Sequence, residues 1–447
     1  MSVPSRLIWV LLASVLAVNV YRAATQSITV DEAFTHEHFV APPFYKVMTS
    51  YDPNHHVLNS LLAKVSTGLF GVSELTLRIP SLAGGLIYLL AVRAIVLYAF
   101  SAEWAIAAFA LLSLNPFITD YLIAARGYGL ALGFLMAALW FFFNSAWYRG
   151  GICLGLALAA NLTFLVPVIA LGGMVALFGT GRKLFGRFLE RVLVPAAVIP
   201  FVAYVVPLSH TNPTQFYWGA KSMIDAMDSF VFISFMRNPP PFAVEVAHVV
   251  ELLGLVTLVA SAVAAIMLTR RETRTPLEQL LVLTGGAMGV CLGMTWLMFV
   301  AAGVNYPFTR TGVYWPAMLT LAGVALADRF LRGRALRWPA LLLSAVCVSL
   351  FLRGFEVDYF QEWQFDAGAK RVAALILKQG GRGKVRIACS GLLIHSLRFY
   401  GERNGALWDI NPDPKADADF HVLMTDDFWP GMRVRYRDPV SEVVVLE

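Results

Sequence analysis

The chain has 447 residues, 58% of them hydrophobic and only 14% charged, with a mean hydropathy of +0.65. An ordinary soluble domain carries about 25% charged residues, so a water-soluble globular protein is excluded. The formal net charge of +6 reflects basic loops along one membrane face and gives no reason to invoke nucleic acid.

Apolar runs of about 17 to 25 residues, long enough to cross a bilayer, recur along most of the sequence. This predicts an α-helical polytopic membrane protein of about 11 spans. In chain order the spans are expected at 7–23, 79–99, 103–119, 128–148, 151–162 paired with 163–178, 192–208, 246–268, 279–300, 311–328 and 338–352. The stretch 151–178 holds Asn161 and Pro167 and is long for one crossing but short for two. Arg6 before the first run has the look of a signal peptide. Ala23-Ala24-Thr25 is a poor cleavage site, however, so an uncleaved first helix is expected.

Orientation follows from the arginines. One set of short loops collects Arg6, Arg149, Arg182, Lys183, Arg187, Arg191, Arg270, Arg271, Arg274, Arg329, Arg332, Arg334 and Arg337. The positive-inside rule puts these in the cytoplasm, which sends Asp31, His55, Arg126, Arg310 and the C-terminal tail to the outer face. Arg93, inside a span, lies near enough to the inner end to snorkel. The segment 54–70 is apolar enough to cross, but a crossing there would invert everything downstream. Lys64, Ser60, Ser66 and Thr67 give it a polar side. It is therefore expected to lie along the outer surface, or to be partly re-entrant, as an amphipathic helix.

From Arg353 the character changes. Residues 366–378 have helical spacing, 384–389 read as a strand and 392–402 as a second helix, with further strand-like runs at 420–424 and 442–446. A small α/β domain of about 90 residues is expected on the outer face. The chain thus divides into 1–352, transmembrane, and 353–447, an outer lid or docking surface. Of the four cysteines, Cys153, Cys291 and Cys347 lie in predicted spans and Cys389 is alone in the tail, which supports no disulfide framework.

Three constellations can carry chemistry. Asp31-Glu32 leave the first span together, and a carboxylate at a membrane exit can serve as general base toward a hydroxyl. Asn54-His55-His56 offers imidazoles to a phosphate. Metal binding with His36 and His38 is the rival idea, although the spacing fits no closed zinc pattern. Arg126 with Tyr128, and Arg310 in Tyr306-Pro-Phe-Thr-Arg310, place guanidinium forks outward, where they suit phosphate oxygens. Snorkelling is the alternative for each arginine. Aromatic residues Phe44, Tyr45, Tyr217 and Trp218 flank the outer side, as groove walls or as ordinary interface anchors.

Together these stretches resemble the GT-C glycosyltransferases. The branch they look like holds the protein O-mannosyltransferases, the lipid A aminoarabinose transferases and the Rgt-type sugar transferases. Asp31-Glu32-Ala33-Phe34 is similar to the acidic motif of that family's first outer loop. His55-His56-Val57-Leu58-Asn59-Ser60, then Leu69-Phe70-Gly71, Glu74 and Leu77-Arg78-Ile79-Pro80-Ser81, resembles the stretch that follows it. Asn115-Pro116 and Ala125-Arg126-Gly127-Tyr128 resemble a further motif. Both prolines after the family's histidine are replaced here, by His56 and Val57. The glutamate expected two residues before Arg126 is Ala124, so that acidic function is lost or is supplied by Asp120.

The resemblance implies an inverting transfer of one sugar from a polyprenyl-monophosphate carrier to an acceptor hydroxyl, at the outer face of a bacterial inner membrane. It implies Asp31 as base with Glu32 supporting it, and His55, His56, Arg126, Tyr128 and Arg310 around the donor phosphate. Asp120 and Tyr306 would serve the acceptor or the sugar. No cofactor is expected, and the histidine spacing supports no metal site while leaving open whether a divalent metal is used; the donor lipid and an envelope acceptor (polysaccharide, lipid or protein) are the expected partners. The alternative class is a transporter or flippase of a lipid-linked sugar. That would need midplane charges and related halves, whereas here the charges gather at one face.

Overall fold

The computed structural model describes residues 2–178, 185–211, 218–237, 239–271, 273–428 and 433–446. Arg182, Lys183 and Tyr217, named above, lie outside them. Five helices among the described residues are long and apolar enough to cross a membrane: Val3–Thr25, Glu74–Ala99, Gly186–Leu208, Ala243–Thr269 and Pro276–Ala302. Shorter apolar helices at Ala102–Leu114, Tyr128–Phe143, Trp147–Ala160, Leu165–Phe178, Tyr314–Leu331 and Arg337–Arg353 pack with them around one apolar core.

The helix boundaries have local causes. The run expected at 103–119 breaks at Asn115-Pro116, because a proline has no N–H to give and its ring clashes with the preceding turn. Asn115 caps the new short helix Pro116–Tyr121, its Oδ1 accepting from Phe117 N at 2.9 Å. The stretch 151–178 likewise breaks, at Asn161, between Trp147–Ala160 and Leu165–Phe178. Glu74–Ala99 starts at a Ser73/Thr76 capping box and continues through Pro80. Pro80 leaves the Thr76 carbonyl without its helical partner, and Ser66 Oγ donates to that oxygen at 2.7 Å.

Small residues let two helices touch. A Cβ on Gly133 would come within 2.3 Å of the Gly84 oxygen, and one on Gly84 within 2.5 Å of Leu130 N. Glu74–Ala99 and Tyr128–Phe143 therefore pack backbone to backbone, the contact that small residues at four-residue spacing allow in membranes. Residues 57–70 do form a helix, Val57–Phe70, with Val57, Asn59, Ser60, Ala63, Ser66 and Thr67 buried and Val65, Leu69 and Phe70 exposed. The helix Met223–Phe235, absent from the sequence reading, adds a further element.

Beyond Arg353 a five-stranded mixed sheet forms among the described residues, in the order β2-β1-β3-β5-β4. β1 (Lys384–Cys389) pairs in parallel with β2 (Leu407–Asn411) and β3 (Phe420–Leu423). β5 (Val444–Leu446) pairs antiparallel with β3 and β4 (Val434–Arg437). Helix Ile394–Arg403 makes the crossover from β1 to β2 that parallel strands require. β2 and β4, both mostly exposed, lie at the sheet edges and were not anticipated. Cys389 is buried in β1, and all four cysteines are free.

This sheet-bearing part is bolted to the helical part beside the Asp-Glu pair. Tyr400 Oη donates to Glu74 and accepts from Ile28 N, each at 3.0 Å. Lys370 and Arg403 also hold Glu74. Asp366 accepts Val30 N at 2.6 Å and Ser396 Oγ at 2.7 Å.

Candidate active site

The site begins with one turn of helix, Val30–Thr35, that follows the first span. Thr29 caps it reciprocally: Thr29 Oγ1 accepts from Glu32 N, and Glu32 Oε2 accepts from Thr29 N. Glu32 also accepts from Arg78 Nε at 2.9 Å, Arg78 Nη2 at 2.6 Å and Ala125 N at 2.7 Å. A carboxylate offers about four lone-pair sites, so Glu32 is saturated. Arg78 spends its remaining N–H groups on the carbonyls of Ala23, Gln26 and Ser27. This pair is fully buried and supports the loop at the helix exit.

Several motif residues converge on the irregular stretch before Gly127. Ala125 gives its N–H to Glu32, its carbonyl accepts from Asn59 Nδ2 at 3.1 Å, and the Ala124 carbonyl accepts from Ser81 Oγ at 2.7 Å. Gly127 has φ +70°, and a Cβ there would meet the Ala160 oxygen at 2.3 Å and His56 Cβ at 2.9 Å. Only glycine fits that turn. The result is a rigid mount for Arg126.

Asp31 faces the other way from Glu32. Its Oδ2 is buried, has no hydrogen-bond partner among the described residues, and lies 3.7 Å from Nη2 of both Arg126 and Arg310. Arg126 donates to Asn54 Oδ1 at 2.7 Å, the Asn54 carbonyl at 3.1 Å and Thr35 Oγ1 at 3.2 Å, and its Nε has no partner among the described residues. Arg310 reaches Glu362 Oε2 at 3.4 Å and lies between the rings of Trp218 and Trp363, 5.4 and 5.7 Å from their centroids. Asp31, with Tyr128, Tyr121 and Glu362, holds the Arg310 guanidinium strongly protonated against the opposing effect of burial.

The histidines flank this cluster. His55 stacks on Phe39 at 3.8 Å and sets its Nδ1 3.0 Å from the Ser50 carbonyl. Burial brings its pKa down to about 4, against the pull of that carbonyl. His56 lies 5.3 Å from the Tyr128 ring, and burial first, then Arg126, His55 and Arg310, hold it well below the usual imidazole range. Both rings are neutral at physiological pH, and each keeps a buried Nε2 with no partner among the described residues. They can meet a ligand through hydrogen bonds but not as cations. No group of three or more His, Cys, Asp or Glu side chains suited to a metal ion occurs among the described residues.

Two expected residues are not brought to this cluster. Asp120 is buried between Arg22, at 2.5 Å, and Arg237, at 2.6 Å, and accepts Gln361 N at 3.0 Å. Tyr306 pairs its backbone with Ala220 and packs its ring 5.1 Å from Phe299. Glu362, Tyr121 and Thr35 were missed, and Asn54 was named only as the start of the histidine constellation. Glu362 lies just past the expected boundary at 353, where no periodic pattern marks a functional residue. An apolar cavity of about 370 Å³ lies among helices Ala102–Leu114, Met223–Phe235, Ala243–Thr269, Tyr314–Leu331 and Arg337–Arg353. Asn115 and Ser234 are among its few polar walls.

No protein-family model and no curated protein matches the sequence. Among solved structures the chain is similar to ArnT from Cupriavidus metallidurans bound to undecaprenyl phosphate, with 16% identity and a TM-score of 0.52 over 99% of this chain and 98% of that one. The apo state of the same protein matches equally, at 16% identity and TM-score 0.52, over 100% and 98%. The likeness is one of fold. It extends through the helices and the C-terminal sheet alike, and with the apolar helices it makes this chain a multi-pass membrane protein.

Proposed function

We propose that the chain is an inverting glycosyltransferase that moves one sugar from a polyprenyl-monophosphate carrier to an acceptor hydroxyl at the outer face of a bacterial inner membrane. The observation that carries this reading is Asp31 Oδ2, without a hydrogen-bond partner among the described residues and 3.7 Å from two guanidinium groups. A base with an open acceptor position beside a paired-arginine phosphate site is what displacement at a glycosyl phosphate requires. The shared fold with ArnT, solved with undecaprenyl phosphate, supports it.

In this reading the acceptor O–H gives its proton to Asp31 as its oxygen attacks the anomeric carbon. The bond from that carbon to the phosphate oxygen breaks, and the phosphate leaves with the electron pair. Arg126 and Arg310 meet the charge that grows on it, and neutral His56, beside Tyr128, can offer an Nε2–H donor, whereas His55 gives its Nδ1–H to the Ser50 carbonyl and presents Nε2 as an acceptor. Donors fixed before the reaction cost no reorganisation during it. The polyprenyl tail lies along the apolar cavity, and the part from 353 onward forms a separate outer domain over the site.

The test is turnover of a radiolabelled polyprenyl-phosphate sugar by the purified chain in nanodiscs, wild type against Asp31→Asn. Release of polyprenyl phosphate by the wild type and its loss in the variant are expected. Equal release by both would remove Asp31 from the reaction. Cysteine labelling checks the orientation: Lys415→Cys should react from outside and Thr273→Cys only after permeabilisation.

A further inference from the structure

The segment that joins the last apolar helix to the sheet is held against the helical part at several points. Gln26 Nε2 donates to the Tyr359 carbonyl at 3.1 Å, and Gln361 N to Asp120. Arg22 lies over the rings of Phe355 and Phe360, Arg78 over Phe360, and Arg237 over Tyr359, all within 5.6 Å. A loop tied at Phe355, Tyr359, Phe360 and Gln361 fixes the side chains that adjoin these ties. One of these is Glu362, whose Oε2 accepts from the Tyr121 hydroxyl and faces Arg310 Nη1 at 3.4 Å. The next residue, Trp363, is buried and packs 5.8 Å from the Tyr121 ring and against Arg310.

Arg310 is thus divided between two carboxylates, Asp31 on Nη2 and Glu362 on Nη1. Without Glu362 the guanidinium would have one ionic partner, Asp31, which already faces Arg126 at 3.7 Å, and a carboxylate drawn closer to a second guanidinium is a weaker acceptor for the proton. We propose that Glu362 is a positioning residue that holds Arg310 off Asp31, so that the guanidinium stays free to turn to the donor phosphate and Asp31 keeps an open oxygen. The proposal rests on the transfer reading above and adds to it a residue from the outer segment. It makes a distinctive demand. Removing the Glu362 charge quenches the base yet leaves the phosphate site more positive, so rate and donor affinity move apart. Loss of a merely structural tie lowers both.

The experiment compares Glu362→Gln, Glu362→Asp, Arg310→Ala and the double variant Glu362→Gln/Arg310→Ala in nanodiscs. It measures undecaprenyl phosphate binding as well as kcat and KM. Glu362→Gln should lower kcat by about tenfold, the scale of a directly coupled contact, while binding undecaprenyl phosphate as tightly as wild type or tighter. Glu362→Asp, which keeps the charge, should recover most of kcat. In the Arg310→Ala background the Glu362→Gln change should have no further effect on kcat, because it acts through Arg310. Weaker undecaprenyl phosphate binding by Glu362→Gln, or a kcat loss that persists without Arg310, overturns the proposal. If the wild type turns over no donor, the transfer reading fails. The binding arm still decides whether Glu362 restrains Arg310, since weaker binding by Arg310→Ala with equal or tighter binding by Glu362→Gln keeps the proposal.

Discussion

The carboxylate of Glu32 grips the guanidinium of Arg78 through two hydrogen bonds, 2.9 Å to Nε and 2.6 Å to Nη2, with both side chains fully buried. The adjacent Asp31 has an oxygen with no hydrogen-bond partner among the described residues, 3.7 Å from the guanidinium groups of Arg126 and Arg310. One acid of the pair is therefore structural and the other is available for chemistry. Removing Glu32 leaves a buried arginine without its counter-ion, which costs about 3–5 kcal/mol. Glu32→Ala should accordingly unfold far more readily in detergent, or fail to accumulate, while Glu32→Gln, which keeps some of the hydrogen bonds, should be intermediate. Thermal unfolding of the three proteins measures this, and an Ala variant as stable as wild type would contradict it.

Asp31→Asn should behave in the opposite way. The carboxylate makes no short hydrogen bond and its ion pairs with Arg126 and Arg310 are long, at 3.7 Å, so its loss should lower the melting temperature less than loss of Glu32 does. Turnover should fall by about 10²-fold or more, the scale of losing a general base. Donor binding should survive, because Arg126 and Arg310 lose a competing partner. A stable variant with near-normal turnover would place the base elsewhere.

Much of this arrangement was legible in the sequence, and for identifiable reasons. Long apolar helices announce themselves by their composition, so most of the helices were placed to within a few residues. Asn115-Pro116 also carried its own break signal, yet the run around it was read as continuous. Asp31, Arg126 and Arg310 stood out because charges at a membrane exit are costly. Asp120 satisfied the same criterion and is instead paired between Arg22 and Arg237. Those partners lie 98 and 117 residues away in the chain, and no local pattern reveals them. Glu362 was hidden for the same reason: its role depends on where a non-periodic linker is pinned. The edge strands β2 and β4 escaped because neither has a buried run long enough to register.

Arg126 separates a clamp from a snorkel. It is buried, and both terminal nitrogens are engaged by Asn54 and Thr35. Its planar fork fixes those contacts and can still present Nε and one edge to phosphate oxygens. Lysine keeps the charge but not the fork. Arg126→Lys should lose about tenfold or more in kcat/KM for donor, and Arg126→Ala more again. Wild-type turnover by the lysine variant would remove Arg126 from the site.

Gly127 tests whether the mount matters. An alanine there is strained by the positive φ and has its Cβ against the Ala160 oxygen and His56. Moving either neighbour shifts Arg126 and His56 together. Gly127→Ala should destabilise by about 1–3 kcal/mol and reduce turnover beyond what the lost stability explains at a permissive temperature. Equal specific activity per folded molecule would show that the turn serves packing alone.

The last expectation concerns Asp366, which caps the first N–H of the Asp31 helix through Val30 and is itself bonded by Ser396. Burial lifts its carboxyl well above the ordinary range, and the nearby Asp31 and Glu32 charges add to this, while the Ser396 and Val30 hydrogen bonds oppose it. An acid whose folded pKa is raised binds its proton more tightly folded than unfolded. Its contribution to stability is therefore greatest below the unfolded value of about 3.8 and declines as pH rises through that value toward the folded one. Asparagine in its place is neutral at every pH, can present Oδ1 to Val30 N, and can turn Nδ2 to the Ser396 oxygen. Asp366→Asn should thus gain on wild type as pH increases from 4 to 8, with its melting temperature at pH 8 equal or higher. A difference in melting temperature that stays constant across that range would mean that the Asp366 proton affinity is the same folded and unfolded. A variant that loses stability only at high pH would mean that the hydrogen bonds from Val30 and Ser396 outweigh burial and keep the carboxylate charged.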